Sequence, residues 1–329
     1  MPSQLAPVTL PAIQRPVRAE LDGVFDELGR IVRSDFPLIE DVNMHLLRIK
    51  GTLFRPTLLL LAARAVGRLS RPKIILGAAV ELIHLATLVH DDSVDHSVLR
   101  RGQPTLNALF SHQVAVIMGD YLYSRAIIEL VNLNDLEPLR VMARVTNEMT
   151  VGEMRELEAH DALDYGEEAY AALIEAKTAS LMAGACEVGA VDADATPRAA
   201  LRRYGLQLGM AFQITDDVLD YTESERTTGK PSGLDLKEHK ITLPLIAALP
   251  RMTAVERERV RVLMTDPEPR DEALADVMAI VHARGGVEAA RARAAGYAER
   301  AAAELEALAP SPARDALADC LTYAVERRS

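Results

Sequence analysis

Apolar residues along most of this chain recur at three- and four-residue spacing, as in the run AAVELIHLATLVH at positions 78–90. That is the period of an amphipathic helix, and Ala, Leu, Glu and Arg, all strong helix formers, dominate the composition. No run of strict apolar alternation bounded by turn residues occurs, so no sheet is expected. Breaks are sparse: Arg101-Gly102-Gln103-Pro104, Asp135 to Pro138, Asp192 to Pro197, Thr228 to Gly233, Asp266 to Pro269 and Pro310 to Pro312. The long pieces between them predict an all-α bundle of long, mostly antiparallel helices rather than βαβ units. Residues 1–17, rich in proline and small residues, read as an irregular N-terminal arm. No composition shift marks a linker inside 18–329, which is expected to form one domain.

Composition then removes several classes of function. With 329 residues, 49% apolar and 26% charged, the chain has an ordinary globular balance, so disorder is excluded for its bulk. A formal net charge of −11 speaks against a broad basic surface, and no nucleic-acid partner is expected. Cys186 and Cys320 are too few for a disulfide framework and lack metal-ligand spacing, which suits a reducing cytoplasm. The first twenty residues have no cationic start followed by an apolar core, so no signal peptide is expected. The longest apolar run, Leu58 to Ala63, stops at Arg64, far short of a span, and no transmembrane segment is expected.

Two acidic clusters carry the candidate chemistry: Asp91-Asp92-Ser93-Val94-Asp95 and Asp216-Asp217-Val218-Leu219-Asp220. On a helix, residues i and i+4 share a face, so Asp91 with Asp95, and Asp216 with Asp220, present carboxylates side by side. A single such cluster reads most simply as a solvated acidic helix end. Two of them, each flanked by leucine and valine, set carboxylates beside a core at a large desolvation cost that divalent cations would remove. Carboxylates suit hard cations, and Mg²⁺ is usually held by one or two of them plus substrate phosphates. The clusters therefore point to a phosphorylated ligand between two facing helices. Arg100-Arg101, Lys177-Thr178, Lys230 and Lys240 supply matching cations; singly they read as surface charge, and near the acidic clusters as anion clamps.

These residues resemble a family. His90-Asp91-Asp92-Ser93-Val94-Asp95 followed by Arg100-Arg101-Gly102-Gln103-Pro104-Thr105 is similar to the first aspartate-rich motif of the trans-isoprenyl diphosphate synthases, or polyprenyl synthetases. Phe212 to Asp220 (FQITDDVLD) is similar to the second. Gly119-Asp120-Tyr121-Leu122, Gly152-Glu153, Lys177-Thr178-Ala179, and Gly229-Lys230-Pro231 through Asp235-Leu236 to Lys240-Ile241-Thr242-Leu243-Pro244 add to the match, as does the closing YAVERR.

The resemblance implies an isoprenoid-synthase-type helical bundle around a central cavity over residues 18–329, and a homodimer. It implies an enzyme, a prenyltransferase, with roughly three Mg²⁺ ions per active site on Asp91, Asp92, Asp95, Asp216, Asp217 and Asp220. An allylic diphosphate would meet Arg100, Lys177, Thr178, Gln213, Lys230 and Lys240. Isopentenyl diphosphate would rest on Arg55, His84 and Arg101, with Thr52 or Lys50 completing the set. Metals and cations stabilise the departing diphosphate, and the double bond of isopentenyl diphosphate attacks the allylic carbocation left behind. The growing chain would pass Thr87, Ala86, Ile83 and Val80. None is aromatic, so a product of geranylgeranyl length or longer is expected. The same small residues would also suit close helix packing, and His84 alone would suit a hydrogen-bonded core histidine.

The chain departs from the family pattern before Arg55-Pro56, where a Gly-Gly-Lys-Arg-x-Arg-Pro stretch is usual. Thr52 stands for a lysine and Leu53 for a second cation, and a charge-assisted contact contributes about 1.5–3 kcal/mol. Glu156 stands where glutamine is usual, and His239 where glycine precedes the lysine. A partner subunit of a heteromeric synthase and a terpene cyclase on the same fold are the competing readings. Intact aspartate motifs argue against the first, and Arg55 and Arg101 would be unexplained in the second.

Overall fold

The computed structural model describes residues 8–48, 51–100, 102–158, 165–222 and 233–326. It is overwhelmingly helical: α1 (Leu10–Gln14), α2 (Arg18–Ile31), α3 (Pro37–Arg48), α4 (Phe54–Ala65), α5 (Arg71–Val94), α6 (Leu106–Leu109), α7 (His112–Asn132), α8 (Leu136–Glu158), α9 (Glu167–Ile174), α10 (Ser180–Gly189), α11 (Ala195–Thr222), α12 (Leu234–Lys237), α13 (Leu243–Ala248), α14 (Ala254–Thr265), α15 (Asp271–Ala283), α16 (Gly286–Glu304) and α17 (Pro312–Glu326). Among the described residues the only strands are β1 (Leu99–Arg100) and β2 (Gln103–Pro104). They pair antiparallel with Arg100 opposite Gln103, around Gly102 at φ +73°.

The chain divides into two compact units. One comprises Met1–Asn147, Leu181–Gly205 and Glu304–Cys320; the other comprises Glu148–Ser180, Leu206–Ala303 and Leu321–Ser329. Three of the boundaries fall well inside α8, α11 and α17. A boundary within a continuous helix leaves the apolar period unbroken, so no linker signal exists to be read.

The N-terminal segment also differs from the irregular arm expected. Residues 10–17 form α1 and a 3₁₀ turn, with Ile13 and Val17 fully buried. Pro11 and Pro16 each stand in the first turn of their element, where a missing N–H costs nothing and the fixed φ favours the helix.

In the first unit, α5 packs along α7 and against α2 and α4. Leu58 to Ala63 of α4 are all at 0% exposure; a helix apolar on every side belongs in a core. Helix α5 is long and apolar enough to cross a membrane by length and composition, yet 61% of its most apolar window is buried inside the protein. Its Lys73 is also buried, and Nζ donates to Val188 O at 3.0 Å and meets Asp192 Oδ2 at 3.1 Å. That pairing ties the start of α5 to the end of α10. In the second unit, Ile214 and Val218 of α11 join Tyr170, Leu245, Leu274 and Val281 in one apolar cluster.

Candidate active site

The first acidic cluster forms the C-terminal end of α5. Asp95 caps it in the right-handed region, and its N–H donates to Asp91 O at 2.8 Å. The i,i+4 relation is therefore kept, with Asp91 half-buried and Asp95 exposed on one face. Asp92 turns inward and is 7% exposed. Both of its oxygens accept from Arg100 Nε, at 2.8 and 2.9 Å, so the β1–β2 hairpin holds Arg100 beside the cluster. Next to it, His90 Nε2 lies 3.2 Å from Val116 O and 3.3 Å from Asp120 Oδ1. A Cβ at Gly119 would stand 2.3 Å from that nitrogen, which explains glycine at this point of α7.

Farther along the unit, Arg55 Nη1 lies 2.9 Å from His84 Nε2. A guanidinium only donates, so His84 Nε2 accepts and the ring carries its proton on Nδ1. His84 is thus a half-buried partner of an arginine rather than an isolated core histidine. Thr52 is exposed. Its carbonyl accepts from Gln14 Nε2 at 2.9 Å, and the same amide donates to Thr57 Oγ1 at 3.1 Å. Leu53 follows at φ +50°, a left-handed conformation uncommon for a residue with a Cβ. Thr52 and Leu53 line a cavity of about 450 Å³ together with Arg18, Phe25, Glu81 and Leu85. Gln14 was not legible as a site neighbour, because its bond to Thr52 spans 38 residues of sequence. Lys50, Arg101 and Lys230 lie outside the described residues.

Of the chain-length candidates, Ile83 and Val80 are at 0% exposure, Ala86 at 2%, and Thr87 is half-buried with Oγ1 donating to His84 O at 2.8 Å. At 3.6 residues per turn, Thr87 and Val80 fall within about 40° of Asp91 and Ile83 within about 80°, whereas Ala86 is about 140° away. Ala86 thus shares the side of His90, which meets α7, and not the face of Asp91 on which the sequence reading set it.

The second cluster lies on α11 in the other unit. Asp217 is 5% exposed. Its Oδ1 accepts from Gln213 Nε2 at 2.9 Å, and its Oδ2 from the Tyr170 hydroxyl in a short bond. Thr178 Oγ1 donates in turn to Gln213 Oε1 at 2.9 Å. Burial pushes the Asp217 carboxyl up to about 7, against the pull of those two donors. Asp220 accepts the backbone N–H groups of Leu234 and Asp235 at 3.0 and 3.1 Å, capping the start of α12. Asp216 is half-buried. Lys240 Nζ meets Glu238 at 2.9 Å. His239 adopts φ +57°, a conformation glycine takes without steric cost, so the departure from glycine there is a strained one.

Lys177 and Thr178 sit in a single π-helical turn, Glu175–Ala179, between α9 and α10. Such wide turns often re-aim side chains at working sites. Lys177 Nζ pairs with Glu153 and Glu156 of α8. A Cβ on Gly152 would come 2.9 Å from Lys177 N, so the glycine admits this close approach.

Asp92, Asp217 and Asp220, expected as metal ligands, each accept hydrogen bonds from protein donors. Tyr170 enters the site's surroundings without a spacing signal that could have announced it. Among the described residues, no three His, Cys, Asp or Glu side chains gather to hold a metal by themselves.

The polyprenyl synthetase family model matches residues 36–281. Octaprenyl diphosphate synthase of Escherichia coli is 35% identical over 97% of this chain and 99% of its own length. Heptaprenyl diphosphate synthase component 2 of Geobacillus stearothermophilus is 36% identical over 94% and 96%. The crystal structure of a polyprenyl synthase from Caulobacter crescentus, complexed with calcium and isoprenyl diphosphate, aligns with a TM-score of 0.94. It shares 35% identity and covers 99% of this chain and 100% of that one. The chain belongs to the polyprenyl synthetase family.

Proposed function

We propose that this protein condenses isopentenyl diphosphate with an allylic diphosphate, head to tail and in the trans sense, extending the product to geranylgeranyl length or beyond. The observation that carries the reading is the pair of aspartate-rich helix segments in a chain matched almost end to end by polyprenyl diphosphate synthases. Asp91, Asp95 and Asp216 would hold the metal, and an all-carboxylate donor set at half-buried and exposed positions fits Mg²⁺ with substrate phosphates completing its shell. The calcium and isoprenyl diphosphate in the Caulobacter crescentus enzyme support that choice. Bound there, Mg²⁺ would supply charge stabilisation to the departing diphosphate.

The chain's own residues do the rest. Arg100, Lys177, Thr178, Gln213, Lys230 and Lys240 bind the allylic diphosphate. Asp92 aims Arg100, and Asp217 holds Gln213, through which Thr178 is oriented. Arg55 and His84, with Arg101 and either Thr52 or Lys50, orient isopentenyl diphosphate. The proton lost after its double bond attacks passes to the released diphosphate. The elongating tail runs along the Thr87, Ile83 and Val80 side of α5. Exposed Ile117, Ile128 and Val131, one stripe of α7 at 62%, 45% and 54%, support pairing with a second copy.

A specific observation keeps one alternative in view: a relative is named as a component of its synthase, and Thr52 and Leu53 lack charge. The test is incubation of the purified protein alone with labelled isopentenyl diphosphate, an allylic starter and Mg²⁺, followed by chain-length analysis. Linear diphosphates of geranylgeranyl length or more are expected. A cyclic hydrocarbon would favour the cyclase, and no product would favour the partner subunit.

A further inference from the structure

Tyr170 lies on α9, and its ring is buried in the apolar cluster that it shares with Ile214 and Val218 of α11. The hydroxyl is the polar tip of that ring and donates to Asp217 Oδ2. The other carboxyl oxygen, Oδ1, accepts at 2.9 Å from Nε2 of Gln213, one helical turn back along α11. Gln213 Oε1 in turn accepts from Thr178 Oγ1 of the π turn at 2.9 Å. Tyr170, Asp217, Gln213 and Thr178 thus form one continuous row of hydrogen bonds.

The row has a direction. Because Asp217 Oδ1 is an acceptor, Gln213 must turn its nitrogen to Asp217 and its oxygen to Thr178; the flipped amide would set oxygen against oxygen. One amide N–H is spent on Asp217, and the second finds no acceptor among the described residues. Gln213 is half-buried rather than sealed in, so this second N–H is a neutral donor within reach of an entering ligand. The orientation holds only while Asp217 keeps its place. At 5% exposure its carboxyl has no bulk water to turn to, and a buried polar group must be hydrogen-bonded where it lies. Without the tyrosine hydroxyl, Oδ2 would lose its donor, and the carboxyl would rotate to recover one and release the amide.

Resting on the reading of Gln213 as a ligand of the allylic diphosphate, we propose that Tyr170 is a positioning residue for that substrate: by fixing Asp217 it fixes the Gln213 amide, with the second N–H offered to a diphosphate oxygen. Tyr170 itself stays in the core and acts only through its neighbours. The donor it aims is uncharged and serves the bound substrate and the transition state alike, so it contributes to binding and not to turnover.

The test is steady-state kinetics of the full chain with Mg²⁺, each diphosphate substrate varied in turn, together with thermal melts. It compares the wild type with Tyr170→Phe, Gln213→Leu and the double variant. Phenylalanine keeps the ring and removes only the hydroxyl. Tyr170→Phe should raise KM for the allylic diphosphate by about tenfold, the size of one hydrogen bond to a charged group. Turnover and KM for isopentenyl diphosphate should stay within about twofold of wild type. Gln213→Leu should raise the allylic KM by about tenfold or more, and the double variant should rise no further, because the two residues act as a unit. An unchanged allylic KM in Tyr170→Phe, equal rises in both KM values, or a full further rise in the double variant would overturn the assignment. So would the loss of a cooperative melt in Tyr170→Phe, which would make the hydroxyl a requirement of the fold. An allylic KM unmoved by Gln213→Leu, or a wild type without turnover, would instead overturn the reading of the site itself, and the assignment with it.

Discussion

Arg100 Nε donates to both carboxylate oxygens of Asp92, at 2.8 and 2.9 Å, with the two residues eight apart in sequence. The bond gives Asp92, the middle aspartate of the first cluster, the task of holding Arg100 in place. Asp92→Asn should raise KM for the allylic diphosphate by about tenfold through a misplaced Arg100, with little change in the Mg²⁺ requirement. Asp91→Ala and Asp216→Ala should each lower turnover by about three orders of magnitude or more, while helicity and melting stay near wild type. Steady-state kinetics with a Mg²⁺ titration separates the two behaviours. Identical metal dependence in all three variants would return Asp92 to the ligand set.

Thr52 is exposed and its backbone is held by Gln14, so a longer side chain can be introduced without moving the loop. Thr52→Lys should lower KM for isopentenyl diphosphate by about tenfold and leave that for the allylic substrate nearly unchanged. Initial rates with each substrate varied in turn provide the check. An unchanged KM would mean that a nearby cation, Lys50 among the candidates, already serves.

Product length should respond to Thr87 more directly than to Ala86. Thr87→Phe sets an aromatic ring on the face of Asp91 and should shift extracted products toward farnesyl length. Ala86 is 2% exposed on the other side of α5, and Ala86→Phe should lower stability by about 1–3 kcal/mol through overpacking. Chromatography of the dephosphorylated products, with thermal melts of both variants, distinguishes tunnel from packing.

Gly119→Ala should displace His90, because the added methyl would lie 2.3 Å from its Nε2. A loss of about 1–3 kcal/mol is expected in denaturant unfolding, together with reduced turnover, since Asp91 follows His90 directly. Full stability with full activity would show that the ring can move aside at no cost.

Glu256 accepts from Arg284 through Nη2 at 2.6 Å and from Thr253 N at 2.7 Å. These contacts pull its carboxyl from 4.5 down to about 2, the Arg284 bond acting most strongly. A depressed carboxyl contributes stability above its ordinary value and loses it as pH falls through the folded one. The melting advantage of wild type over Glu256→Gln should therefore hold above 4.5 and fade as pH drops toward about 2.

Sequence alone determined the helical class and both acidic clusters, because these depend on local period and on composition. A helix repeats every 3.6 residues whatever it packs against, and i,i+4 carboxylates meet on any helix. Division of labour among the aspartates was not local. Asp92 answers to a hairpin eight residues on, Asp217 to Tyr170 47 residues back, and Asp220 to the backbone fourteen and fifteen residues ahead. Nor did the sequence announce that Pro11 and Pro16 start helices, that Gln14 supports Thr52, or that α8 and α11 run through the boundaries of two units. Identical residue types can ligate, cap or pair. The tertiary structure decides among these roles by which buried donors it brings within hydrogen-bond reach, because a buried carboxylate must be satisfied where it lies.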